Sequence, residues 1–202
     1  MKRALLLRVG GLSLLPLLVC ALTGCAAKPP ANWVKGGAPL DLVPSRWVRG
    51  DVTIELTPDG RVIANNNEFL LSVDRSGRVY DNEAKPVALL EPDGRVIGPD
   101  DKSLGFVGAW SASLPNETLA WLAVMNTGEV IRYTDQGERS TLGVWVGGCS
   151  YSLRAHQLCT LVTHLLTMRY RDQRRLYPYN PWTTPGMYPG FGYPGLYPGI
   201  GL

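Results

Sequence analysis

Gly60-Arg61-Val62-Ile63, Gly77-Arg78-Val79-Tyr80 and Gly94-Arg95-Val96-Ile97 recur at intervals of 17 residues, and Gly128-Glu129-Val130-Ile131 follows after two more such intervals. The intervening step would begin at Ser111, where the pattern decays to SASL, yet the register survives it. A unit this short cannot bury an apolar face alone and must pack against its neighbours. Pro58-Asp59-Gly60 and Pro92-Asp93-Gly94 are turns with a mechanism. Pro presets φ, Asp bonds its own backbone, and Gly accepts positive φ. Asp74-Arg75-Ser76-Gly77 and Asn126-Thr127-Gly128 offer related chemistry. Behind each glycine come β-branched or aromatic residues, then a polar stretch such as Asn65-Asn66-Asn67, then a second apolar run. Those runs are Phe69 to Val73, Val87 to Leu90, Leu104 to Val107 and Trp121 to Val124.

Each unit therefore reads as strand, turn, strand, turn, with about five residues per strand. Val52-Thr53-Ile54-Glu55-Leu56 alternates strictly and leads in. The prediction is a mainly β domain over residues 46–148, an antiparallel meander of about eight to ten short strands. Closure as a barrel, a sandwich of two sheets, or part of a propeller or solenoid is left open by periodicity. Val62, Val79, Val96 and Val130 are predicted to face the core.

Residues 149–175 follow as a helical segment. Ser152 suits an N-cap, and Leu158, Leu161, Val162, Leu165 and Leu166 recur near a 3.6 period up to about Arg171. The expected packing is this stripe on the sheet, making the whole α+β. Cys149 and Cys159 are predicted to form a disulfide that staples the helix to the sheet. Its basic end, Arg169, Arg171, Arg174 and Arg175, favours the helix macrodipole and is a candidate contact for an anionic surface. From residue 176 to 202 the chain is rich in Tyr, Pro and Gly, with Tyr-Pro-Gly beginning at Tyr188, Tyr193 and Tyr197 and no charge beyond Arg175. Such a composition opposes helix and central strand alike. It reads as a disordered tail whose aromatics could dock on envelope proteins or polysaccharide.

The opposite end of the chain carries an address. Lys2, Arg3 and Arg8 precede an apolar run from Leu12 to Leu22, too short for a bilayer span of about 20 residues. Leu22-Thr23-Gly24-Cys25 then resembles the lipobox of bacterial lipoproteins. The resemblance implies a signal peptide over 1–24, cleavage before Cys25, and lipidation of that cysteine by diacylglyceryl and usually a further acyl chain, such as palmitate. It also implies a cell-membrane anchor, and Ala26 and Ala27 in place of Asp favour the outer membrane, facing the periplasm or the surface. Residues 25–45, rich in Pro, Gly and Ala, are expected to be a flexible tether.

That leader holds all three surplus basic residues. The remainder balances at 17 basic and 17 acidic, which removes the electrostatic case for nucleic acid as a partner. Nucleophile-elbow, zincin, Cys-x-x-Cys and phosphate-loop motifs do not occur. The two histidines, His156 and His164, sit about 12 Å apart along a helix, too far to share one metal. They read as structural residues. Asp81-Asn82-Glu83 and Asp100-Asp101 lack the pattern of a calcium loop and read as solvated turns. No catalytic, metal or cofactor residue is assigned. The reading is a non-enzymatic, lipid-anchored binding or assembly component of the envelope. The alternative is an envelope hydrolase of glycan or peptide acting through carboxylates such as Glu68, Glu91 and Glu117.

Overall fold

The computed structural model describes residues 27–65, 67–134 and 136–176, with side chains as far as Met168. The leader 1–24, Cys25 and residues 177–202 lie outside the described residues, as do the side chains of Arg169, Arg171, Arg174 and Arg175.

The turn chemistry acts as the sequence dictates. Gly60, Gly77, Gly94 and Gly128 all take positive φ, and each donates its N–H to the carbonyl three residues back, on Thr57, Asp74, Glu91 and Met125. The carbonyl of each glycine then accepts from the strand behind, at Val73, Leu90, Val107 and Trp145. That approach is close: a Cβ on Gly60 would stand 1.9 Å from the Val73 carbonyl oxygen. Only glycine fits there.

Among the described residues these turns join twelve strands: β1 (Ser45–Arg49), β2 (Val52–Leu56), β3 (Arg61–Ala64), β4 (Phe69–Val73), β5 (Arg78–Tyr80), β6 (Pro86–Leu90), β7 (Arg95–Ile97), β8 (Ser103–Val107), β9 (Ser111–Ser113), β10 (Ala120–Val124), β11 (Glu129–Tyr133) and β12 (Arg139–Gly147). Each pairs antiparallel with its sequence neighbour, and β1 pairs with β12, so the sheet closes as a barrel. The closure is thus settled, and the strand number exceeds the eight to ten expected because β1, β9 and β12 add to the repeating units. Inward residues meet in register from strand to strand: Trp47 with Ile54, Val73 with Val79, Val79 with Ala88, Leu90 with Val96, Val107 with Ala112, and Trp145 with Trp47. Val62, Val79, Val96 and Val130 are fully buried in that core.

One helix follows, α1 (Leu153–Leu176), longer by five residues than its apolar period suggested. Ser152 caps it, accepting from the Ala155 N–H at 3.0 Å. The helix does not lie on the sheet. Ala155, His156 and every residue from Leu158 to Leu166 are buried, and at about 100° per residue they cover the whole circumference. A position enclosed on all sides exists only inside the barrel. Twelve strands about 4.8 Å apart and tilted about 40° close into a ring roughly 24 Å across, and a helix with its side chains takes up about 10–12 Å. Valine, alanine and glycine on the wall leave it room.

The helix enters where the glycine turns lie, with His156 against the Val124 carbonyl and Gln157 against that of Val107. It leaves at the other end, where His164 meets the Leu104 carbonyl. We call these the entry and exit ends. A disulfide between Cys149, in a 3-10 turn after β12, and Cys159 locks the first helical turns to the wall, closing a loop of ten residues.

Residues 28–44 differ from the tether expected there. Lys28 and Asp100 exchange hydrogen bonds at the exit end, and Ala31 donates to Asp101. The chain then runs to the entry end, where Gly37 donates to the Ser76 carbonyl, Ala38 to that of Leu90 and Leu40 to that of Arg75. Pro30, Ala38 and Leu40 are buried. This segment is a strap, because its backbone donors find partners on successive turns rather than in water.

Two measurements check this arrangement. Leu161→Ala and Leu166→Ala alter positions about 140° apart around the helix, and each is expected to cost about 2–5 kcal/mol in urea unfolding. A surface helix would tolerate one of the two. Replacing both Cys149 and Cys159 with Ala is expected to cost about 2–3 kcal/mol, read by the same titration.

Candidate functional site at the two ends of the barrel

The lumen is filled, so its polar groups answer to the helix. Trp121 donates its indole N–H to His164 Nδ1 at 2.9 Å, and His164 Nε2 donates to the Leu104 carbonyl at 2.8 Å. Both ring nitrogens are thereby used in the neutral form. Burial strips His164 of solvation and pushes its pKa down to about 4. Trp145 donates to Thr163 Oγ1 at 2.9 Å, and the Thr163 hydroxyl donates to the Cys159 carbonyl at 2.7 Å. Thr160 donates to the Ala109 carbonyl at 2.7 Å. Trp47 stacks on Trp145 with centroids 5.9 Å apart and donates to the Leu142 carbonyl. These groups bond a helix to a wall.

The exit end is organised by the strap. Asp100 and Asp101, read from sequence as solvated turn residues, are exposed in a 3-10 turn and also accept from the backbone of Lys28 and Ala31. Farther along, Asn32 donates to Glu91 Oε1 at 2.7 Å, and Arg95 pairs with Glu91 Oε2 at 2.8 Å. Arg78 gives Nε to the Trp33 carbonyl, Nη2 to that of Val34 and Nη1 to Asp74. Trp33 packs edge-on against Tyr80 at 5.1 Å. Sequence reasoning missed Arg78 as a clamp. The signal was present, because Gly-Arg-Val repeats an arginine: Arg61 and Arg95 pair with their turn aspartates, Asp59 and Asp93, while Arg78 also reaches the strap.

The carboxylates of the hydrolase alternative are not brought together. Glu91 sits at the entry end between β6 and β7, while Glu68 and Glu117 are on exit-end loops six strand positions apart in a ring of twelve. Among the described residues no group of three or more His, Cys, Asp or Glu is placed to hold a metal. Cys149 and Cys159 are joined as expected. Arg169, Arg171, Arg174 and Arg175 lie on the last turns of α1, beyond the level of His164 and so past the exit end. Cys25, Tyr188, Tyr193 and Tyr197 fall outside the described residues.

The entry end holds a concavity. It is a half-open cleft of about 270 Å³ between the β10–β11 turn and the end of β12, bounded by Asn126, Thr127, Val144, Val146, Ser150 and His156. Around it Trp110, Met125, Tyr151 and Leu153 are exposed. Trp110 lies on the His156 ring with centroids 4.1 Å apart. The cleft offers apolar walls, hydroxyl and amide groups and no charged side chain.

A pH dependence follows from His164. The unfolded chain takes up a proton near the ordinary value of 6.5, whereas the folded chain refuses it until about 4. The unfolded state binds more protons across that window, so stability falls as pH falls through it, by about 3 kcal/mol in all. His164→Gln, which can accept from Trp121 and donate to Leu104, is expected to flatten that decline in urea titrations from pH 7 to 4. An unchanged slope would remove His164 as its cause. Comparison of the chain with protein-family models, curated proteins and solved structures finds no match.

Proposed function

We propose that this chain is a lipid-anchored protein of the bacterial cell envelope, held at Cys25 in the outer membrane and acting as a binding or assembly component rather than a catalyst. The observation that carries the reading is the strap. Lys28, bonded to Asp100 at the exit end, is three residues from Cys25, a span of at most about 11 Å. An acyl anchor at Cys25 would therefore hold the exit end against the membrane, with no slack segment between lipid and barrel. Two or more acyl chains make such an anchor stable, at about 0.8 kcal/mol per buried methylene.

The same geometry gives the basic turns of α1 a role. The helix leaves at the exit end, so Arg169, Arg171, Arg174 and Arg175 would stand on the membrane side, within reach of phosphate headgroups. The exit-end loops carry Asp51, Asp81, Glu83, Glu117 and Glu138. The arginines beyond them, rather than the barrel rim, suit an anionic surface. The entry end, with its cleft and exposed Trp110, Met125, Tyr151 and Leu153, would then face away and meet partners. The repeated Gly-Arg-Val units serve in this reading as a rigid barrel that keeps the two ends apart.

The anchor is tested with Cys25→Ser. The variant is expected to lose metabolic labelling by radioactive palmitate and to move from the membrane pellet to the soluble fraction. Labelling that persists in the variant would overturn the reading.

A further inference from the structure

The two lumen histidines differ in one respect. His164 has both ring nitrogens paired. His156 shares Nε2 with the Val124 carbonyl at 2.9 Å. A carbonyl only accepts, so in the neutral ring Nε2 carries the proton and Nδ1 is left as a bare acceptor. Nδ1 has no partner in the structure, although the ring is 99% buried, being 1% exposed, and forms part of the cleft wall. A buried acceptor without a donor costs about 1–3 kcal/mol. The site therefore suits a group that brings an O–H or N–H.

The rest of the cleft narrows that group. Its volume of about 270 Å³ falls just below the range of roughly 300–1,000 Å³ for small-molecule sites, room for one ring-sized moiety. Val144 and Val146 supply apolar wall, Asn126, Thr127 and Ser150 supply polar edges, and no charged side chain lines it. Trp110, 46% exposed, stands over the His156 ring with centroids 4.1 Å apart. A tyrosine phenol meets each requirement: a flat apolar ring, one hydroxyl donor and no charge.

We propose that the Tyr-Pro-Gly tail of this same chain occupies the cleft, with a tyrosine hydroxyl donating to His156 Nδ1 and the following proline resting on Trp110. Uncharged tail meets uncharged cleft, and proline beside an aromatic surface is a recurring mode of recognition. The lengths select the residue. Leu176 lies roughly 30 Å from His156 along the helix, and the path back must round the outside of the barrel. Tyr188 is 12 residues beyond Leu176 and reaches at most about 40 Å. Tyr193 and Tyr197 are 17 and 21 residues beyond it and reach about 55 and 70 Å, so one of these two is the occupant. Tethering raises the local concentration of the tail into the millimolar range, which makes a small contact sufficient. The contact does not depend on lipidation at Cys25.

Hydroxyl-radical footprinting of the full chain in detergent tests this, against the chain ending at Leu176 and against the full chain with Tyr193→Phe and Tyr197→Phe. In the full chain, Trp110 and Tyr151 are expected to be oxidised several-fold less than in the shortened chain, while the remote and exposed Val34 and Leu119 react equally in both. The double Phe variant, which keeps the rings but lacks the hydroxyls, is expected to lose most of that protection. Equal oxidation of Trp110 in all three proteins would overturn the proposal. So would protection that appears only as protein concentration rises, because the segment would then be seated in a neighbouring copy.

Discussion

From Ala155 to Leu166 the helix has almost no contact with water, so a polar group it carries is costly unless it finds a partner on the barrel wall. Thr160, Thr163 and His164 all do so, on carbonyls or indoles of the strands and of the turn between β8 and β9. The requirement runs both ways. Twelve strands without an occupant would leave a hollow that valines and alanines alone are too short to fill. Helix and barrel are each incomplete without the other, and their mutual burial is the constraint on which the remaining features rest. The Cys149–Cys159 bridge acts on this same relation by tying the helix entrance to the end of β12.

Closing the ring also settles what happens to the sheet edges. Trp47 and Trp145 face each other across the β1–β12 seam and stack there, so the last pairing joins two of the largest core side chains. The strap adds a second constraint from outside. It binds one turn after another, from Asp100 through Glu91 and Arg78 to Arg75. Consequently the chain preceding the barrel starts from the end at which the helix emerges. A tether at Cys25 and a tail after Leu176 would therefore depart from one pole, leaving the cleft and its aromatic rim at the other.

Local chemistry made part of this legible. Turn sequences ending in glycine predicted hairpins because only that backbone tolerates the φ they need, and the inward valines followed from strand alternation. The helix was legible as a helix but its surroundings were misjudged. Leu158, Leu161, Val162, Leu165 and Leu166 look like the buried stripe of a surface helix, with His156, Thr160, Thr163 and His164 as its wet face. The overlooked signal is that no charge occurs from Ala155 to Met168, whereas a helix facing water normally carries charges on that side. The strap was misjudged for a related reason. Its Pro and Gly content resembles a linker, and the side chains that bind it, Arg78, Glu91, Asp100 and Asp101, are remote in sequence.

By itself, then, the sequence determined the hairpin rhythm, the positions of the turns, the pairing of two cysteines in a short loop, and the N-terminal motif that resembles a lipoprotein signal. Those features depend on contacts within a few residues, or on chemistry read from four residues in a row. Tertiary structure alone decided that the meander closes at twelve strands, that the helix is enclosed by them against β8, β9 and β10, that residues 28–44 are bound to the turns, and that His156 is left with an unpaired nitrogen beside a cleft. Each of these depends on groups tens of residues apart meeting in space, and local propensity carries no information about such meetings.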